Sequence, residues 1–104
     1  MAALTFNDMD DKEEALRYAS SMTGHSSDTY SGKATYTASK DIPGTMIIPE
    51  LDVIIATAEQ EKMYERARDA GADIKRVFAP GGGHAITVTQ PQLVADELIA
   101  LAQR

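Results

Sequence analysis

The sequence contains no cysteine among its 104 residues. A disulfide framework and a thiolate metal site are therefore excluded, and the composition is typical of a reducing compartment. Basic residues are also few: 10 Lys and Arg stand against 16 Asp and Glu, which gives a net charge of −6. Because binding to a nucleic acid backbone depends on clustered positive charge, this balance argues against a nucleic acid partner.

Long hydrophobic runs are missing as well. No apolar stretch approaches the roughly 20 residues of a membrane-spanning helix. Residues 1–6 lack the cationic and apolar regions of a signal peptide. We therefore expect no membrane association and a soluble, cytoplasmic protein. The composition, 43% hydrophobic and 25% charged, is that of an average folded protein, and we expect one domain over residues 1–104.

The first half of the chain is predicted to contain a helix and a long connector. Over residues 10–22, apolar side chains recur at helical spacing behind Asp10 or Asp11, and acidic residues occupy the first turn. Residues 23–44 are rich in Ser, Thr, Gly and Tyr and show no apolar periodicity. This composition is typical of an irregular connector.

Residues 45–104 follow a strand, helix, strand, helix pattern. Residues 45–48 are an uninterrupted apolar run, which indicates a strand buried on both faces. Thr57 and Gln60 have the spacing of a capping box at the start of a helix. Residues 74–79 form the second predicted strand, and residues 89–104 the last helix. The sequence therefore predicts an α/β fold with a small βαβ unit, in which two parallel strands are flanked by helices.

Two parallel strands leave two open sheet edges. Parallel sheets are normally covered on both faces and extended by further strands. The chain is therefore expected either to pair with another chain, most simply a second copy in a homo-oligomer, or to be a piece of a larger protein.

Two residues are the candidates for chemistry. Asp52 follows the first predicted strand, and His84 follows the glycine-rich turn after the second. Because sites in open α/β sheets form at the carboxyl ends of the strands, both residues are expected at one rim. A carboxylate bonded to one ring nitrogen would orient His84 and leave the other nitrogen as a general base. The alternative is that Asp52 caps the following turn and His84 lies in an exposed loop.

The segments around these two residues resemble a known family. Residues 41–55, Asp-Ile-Pro-Gly-Thr-Met-Ile-Ile-Pro-Glu-Leu-Asp-Val-Ile-Ile, resemble the part of α/β-hydrolases in which a buried strand delivers the catalytic acid. Residues 81–98, Gly-Gly-Gly-His-Ala-Ile-Thr-Val-Thr-Gln-Pro-Gln-Leu-Val-Ala-Asp-Glu-Leu, resemble the loop of the catalytic histidine and the final helix. The resemblance covers about residues 10–104 and is to esterase-like hydrolases of fungi and bacteria. It implies the C-terminal part of an α/β-hydrolase sheet, with Asp52 as the acid and His84 as the histidine.

The family's nucleophile elbow, Gly-x-Ser-x-Gly, has no convincing counterpart. Gly24-His25-Ser26-Ser27-Asp28 imitates it in part, but the preceding residues continue a helix, and Asp28 stands where the last glycine belongs. We therefore expect Ser26 to be a connector residue. His25 is likewise expected to be a loop residue, and no metal or cofactor site is predicted.

Three interpretations of function remain open. The first is an enzyme in which Asp52 and His84 act as a general base in the hydrolysis, isomerisation or cyclisation of a small organic substrate. The second is a non-catalytic remnant of a hydrolase that binds itself or a partner. The third is a fragment of a longer hydrolase. Without a visible nucleophile, the sequence leaves open whether the chain is an enzyme.

Overall fold

The computed structural model describes residues 2–104 and has a mixed α/β architecture. A short 3-10 helix covers Ala38–Lys40, and the other elements in chain order are α1 (Ala2–Thr5), α2 (Lys12–Ser20), α3 (Asp28–Ser31), β1 (Gly44–Pro49), α4 (Thr57–Asp69), β2 (Ile74–Ala79), α5 (Ile86–Thr89) and α6 (Pro91–Ala102). The strands β1 and β2 pair in parallel, with Gly44 opposite Ile74 and Pro49 opposite Ala79. The predicted parallel pair flanked by helices is therefore confirmed.

Strand β1 is less buried than its apolar sequence predicts. Ile48 is fully buried, with 0% of its surface exposed, and Pro49 is buried beside it. The preceding residues 44–47 are only half-buried. In the described part of the chain the sheet has two strands, so each strand has one side without a neighbouring strand to cover it.

Helices α4 and α6 cover opposite faces of the sheet. Lys75 donates from Nζ to Glu97 of α6 at 2.8 Å. The next residue, Arg76, donates from Nε to Glu61 of α4 at 2.8 Å. Because successive side chains of a strand point to opposite faces, the two ion pairs place the two helices on opposite sides of β2.

The start of α4 differs from its prediction as a capping box. Its first residue is Thr57, and no side chain caps its N-terminus. The Thr57 hydroxyl instead donates to the carbonyl oxygens of Pro49 and Glu50, at 2.7 and 3.0 Å. Gln60 is buried and bonds to Asp52. The capping-box prediction is wrong because both side chains are used by the loop after β1.

The other predicted segments have the predicted type of structure. Helix α2 lies within the predicted residues 10–22, and the Asp11 carboxylate accepts from two amides of its first turn. The connector after it is irregular apart from α3 and the 3-10 helix, and nearly all of its residues are exposed. Helix α6 begins at Pro91 and is preceded by the short α5, so the last helical region is divided in two.

The N-terminal segment docks against the loop that follows β2. The amide of Ala85 donates to the carbonyl oxygen of Thr5 at 3.3 Å. Phe6 is buried, and its ring centroid lies 5.8 Å from that of Tyr18 in α2. No periodicity in the sequence predicts helix α1 or this docking. None of the helices within residues 2–104 combines the length and the apolar character needed to cross a bilayer.

Candidate active site

Asp52 is held by the turn that follows β1. Its Oδ1 accepts hydrogen bonds from the amides of Ile54, at 2.9 Å, and Ile55, at 3.1 Å. Asp52 is only 7% exposed. A short carboxylate that accepts amides two and three residues later stabilises a local turn. The sequence places an aspartate where the turn needs one, and the turn fixes the direction of its carboxylate.

Gln60 holds the same carboxylate from helix α4. Its Nε2 donates to Asp52 Oδ2 at 2.8 Å and to the carbonyl oxygen of Ile55 at 2.7 Å. The spacing from Thr57 predicts a cap instead, so the sequence does not indicate this role of Gln60. The signal available was the position of Gln60 in the first turn of a helix that follows directly from the Asp52 loop.

His84 lies next to Asp52, as the parallel strands predict. Its Nδ1 is 3.0 Å from Asp52 Oδ2 and 3.2 Å from Oδ1. Because an ionised carboxylate can only accept hydrogen bonds, Nδ1 carries the proton and donates it. Nε2 of the neutral ring is then free to accept a proton. The His84 side chain is 35% exposed, so a reactant can approach the ring.

Two opposing effects act on the acidity of Asp52. Burial raises its pKa, while the hydrogen bonds from His84 and from the amides of Ile55 and Ile54 lower it. The hydrogen bonds prevail, so the pKa of Asp52 lies below its ordinary value. Asp52 therefore stays ionised at neutral pH and can hold the Nδ1 proton of His84 in place.

This lowered pKa predicts a pH dependence of stability. A carboxyl group whose pKa is lower in the folded state stabilises the fold above its unfolded-state value, about 4, and that stabilisation disappears as the pH falls through the folded-state value. We expect Asp52→Asn to lower the free energy of unfolding at pH 7 and to lower it less in acid, as measured by urea denaturation. A stability gap that stays constant as the pH falls would contradict the prediction. The exposed substitution Asp10→Asn is the matched control.

The two loops of the site are also joined by hydrogen bonds from their backbone amides. The amide of Leu51 donates to the carbonyl oxygen of Gly82 at 2.7 Å. The amide of Gly81 donates to the Glu50 carboxylate at 2.6 Å. Gly81 has a φ of +68°, a conformation that glycine adopts without strain. The separation of Asp52 and His84 is therefore set by fixed backbone and not only by their own side chains.

A cleft of about 460 Å³ lies beside His84. Most of its wall is apolar, and the lining residues are Leu4, Thr5, Met22, Tyr30, Val53, Ile54 and His84. They come from α1, the segment just after α2, helix α3 of the connector, the turn of Asp52 and the loop after β2. The connector, which the sequence identifies only as irregular, thus contributes to the wall through Tyr30. The cleft offers an apolar surface to a small molecule next to a basic nitrogen.

The elbow-like segment forms no hydrogen bond with Asp52 or His84 within the described residues. Ser26 is exposed, and its Oγ accepts from the amide of Asp28 at 3.2 Å. The ring of His25 lies 5.1 Å from the ring of Tyr30. Within residues 2–104, no serine or threonine hydroxyl is hydrogen-bonded to His84, and no three metal-ligating side chains gather at one point. The structure brings together Asp52 and His84 but does not bring Ser26 to them.

Comparison with known proteins adds no further assignment. No family model, no curated protein and no solved structure matches this chain. The chemistry of the site is therefore inferred from its own geometry.

Proposed function

We propose that this chain is an α/β-hydrolase-related protein that hydrolyses a small, apolar ester, with His84 as general base and Asp52 as the residue that orients it. The observation that carries the proposal is the 3.0 Å hydrogen bond from His84 Nδ1 to Asp52 Oδ2. This bond leaves Nε2 as the proton acceptor, and the ring lies at the cleft.

The proposed reaction uses water as the nucleophile. His84 Nε2 removes a proton from water as the water oxygen attacks the ester carbonyl carbon. When the tetrahedral intermediate collapses, the bond to the alcohol oxygen breaks, and His84 returns the proton to that oxygen. Asp52 stabilises the imidazolium formed between the two steps. A positioned general base of this kind accelerates a reaction by about 10²–10⁴-fold.

The cleft favours an uncharged substrate with a short apolar group. Leu4, Val53 and Ile54 present hydrocarbon to its interior, and Tyr30 adds an aromatic face. The net charge of −6 further disfavours anionic substrates through long-range repulsion. An ester with a short acyl chain meets both conditions.

The order of elements supports the relation to α/β-hydrolases. The acid follows a strand directly, and the histidine follows the next strand after a glycine-rich turn, Gly81 to Gly83. A helix then packs back against the sheet through the contact of Glu97 with Lys75. This order is the one that the resemblance of residues 41–55 and 81–98 implies.

The test is ester hydrolysis by the whole chain. Initial rates are measured on p-nitrophenyl acetate, butyrate and octanoate, with the wild-type protein and with His84→Gln. We expect turnover of the shorter esters by the wild type and its loss in the variant. Equal rates for the two proteins would contradict the proposal.

A second candidate function is self-association as a non-catalytic module. The observation that favours it is the pair of open sheet edges beside exposed apolar side chains, namely Phe78, Leu98 and Ile99. A second copy that extends the sheet would pair the backbone groups of an edge and cover this surface.

Sedimentation velocity tests the second candidate. A dimer that dissociates on dilution, with loss of helical circular dichroism as it dissociates, is the expected result. A folded monomer at every concentration would contradict it. The His84→Gln variant should associate like the wild type, because His84 lines the cleft and belongs to neither strand of the sheet.

A further inference from the structure

Two neighbouring side chains of the N-terminal segment bind the two loops of the site. Asn7 donates from Nδ2 to the carbonyl oxygen of Leu51 at 2.7 Å. Asp8 Oδ2 accepts from the amide of Gly83 at 2.8 Å. Leu51 directly precedes Asp52 in the chain, and Gly83 directly precedes His84. Asn7 and Asp8, called here the clamp, therefore hold the residue before each member of the pair.

The packing around Gly83 is tight at the clamp. A Cβ atom added to Gly83 would lie 2.7 Å from Asp8 Oδ1 and 2.9 Å from Asp8 Cγ, closer than real Cβ atoms approach such atoms. Gly83 has no positive φ, in contrast to Gly81. A larger residue at Gly83 would therefore displace the side chains of Asn7 and Asp8, whereas the backbone conformation itself does not call for glycine.

Two oxygen atoms of the clamp should lower the stability of the fold. Asn7 Oδ1 and Asp8 Oδ1 are buried, and within residues 2–104 neither has a hydrogen-bond partner. Burying a polar atom without a partner opposes folding. Local features that oppose folding are expected at functional positions, where they hold a site in place.

We propose that Asn7 and Asp8 are positioning residues of the Asp52–His84 pair, which rests on the proposed function of that pair. Asp8 fixes the backbone from which His84 projects, and Asn7 fixes the backbone from which Asp52 projects. Each acts through the loop that it binds and not on the substrate. A displacement of about 1 Å between catalytic groups lowers rates by as much as about a hundredfold. Loss of the clamp should therefore lower the rate, because it loosens the two backbones that hold Nδ1 of His84 against the carboxylate.

The ring tautomer of His84 provides a test that does not depend on activity. Ring nitrogen NMR shifts are recorded for the wild type, Asp8→Ala, Asn7→Ala, the conservative Asp8→Asn and the exposed control Asp10→Ala. The wild type and the control should show the Nδ1–H tautomer. Asp8→Ala and Asn7→Ala should show a mixture with the Nε2–H tautomer. Asp8→Asn, which keeps an acceptor oxygen for the Gly83 amide, should restore the wild-type spectrum.

Ester hydrolysis provides the second readout. Asp8→Ala should lower kcat by about ten- to a hundredfold with little change in KM, while Asp10→Ala matches the wild type. Wild-type tautomer spectra in folded Asp8→Ala and Asn7→Ala would overturn the proposal. If Asp8→Ala does not fold, Asp8→Ser takes its place under the same criteria.

The two proposals can fail separately. If the wild type hydrolyses no ester but the clamp variants change the tautomer, the proposed hydrolysis is wrong and the positioning role stands. If His84→Gln abolishes hydrolysis but the clamp variants leave tautomer and kcat unchanged, the positioning role is wrong and the general base stands.

Discussion

Replacing His84 by glutamine should lower the rate of ester hydrolysis by about 10²–10⁴-fold. Glutamine is close to histidine in size, and its amide can still donate to Asp52. Its nitrogen cannot accept a proton at neutral pH, so the general base is lost while the hydrogen bond to the loop is kept. The measurement is the initial rate on p-nitrophenyl butyrate, together with circular dichroism to verify the fold.

The matched control is His25→Gln, the same chemical change in the exposed connector. It should leave kcat unchanged, because His25 is not bonded to Asp52 and does not line the cleft, and its contact with Tyr30 acts only on substrate binding and hence on KM. Asp52→Asn should cause a loss similar to that of His84→Gln, since an amide can donate to Nδ1 and favour the tautomer with Nε2 protonated. The double variant should be little slower than either single one. Retained hydrolysis in His84→Gln would show that another group performs the reaction.

Replacing Ile48 by alanine should lower the free energy of unfolding by about 2–5 kcal/mol. Ile48 is 0% exposed and lies on β1 opposite Phe78, at the centre of a small core. The loss combines the apolar area returned to water with the cavity left behind. Because domains of this size are stable by only about 5–15 kcal/mol, a large share of the total would be lost. Urea denaturation followed by circular dichroism measures it.

Ile42→Ala is the control for this stability change. Ile42 is 62% exposed, so the same truncation there removes little buried surface. Its effect should be within about 0.5 kcal/mol. Equal losses in the two variants would show that Ile48 does not have the buried position described for β1.

The central part of the fold could be predicted because local signals agree with one another there. The first strand is a short apolar run and the second contains Ile74, Val77 and Phe78, both bounded by turn residues, and the helix between them has an apolar stripe and ends near Gly71. Parallel pairing then follows from the βαβ order. The degree of burial could not be predicted, since it depends on neighbouring strands, which local sequence does not specify.

The Asp52–His84 pair could be predicted for a topological reason. Residues that follow adjacent parallel strands lie at the same end of the sheet, whatever the intervening sequence. Gln60, Asn7 and Asp8 could not be predicted in this way. Gln60 fits a local capping pattern, but in the structure its side chain binds Asp52 instead of the helix N-terminus. Asn7 and Asp8 belong to no periodic pattern in the sequence, and the residues that they bind lie far along the chain.

The clamp also joins parts of the chain that are synthesised far apart in time. Asp8 lies 75 residues before Gly83, whereas the paired residues Ile48 and Phe78 are only about thirty residues apart. Asn7 and Asp8 therefore leave the ribosome well before Leu51 and Gly83, to which they bind. Contacts between distant residues also form late, because closing a longer loop costs more chain entropy. A nascent chain that has already paired its strands still lacks the clamp until residues 7 and 8 meet the two loops.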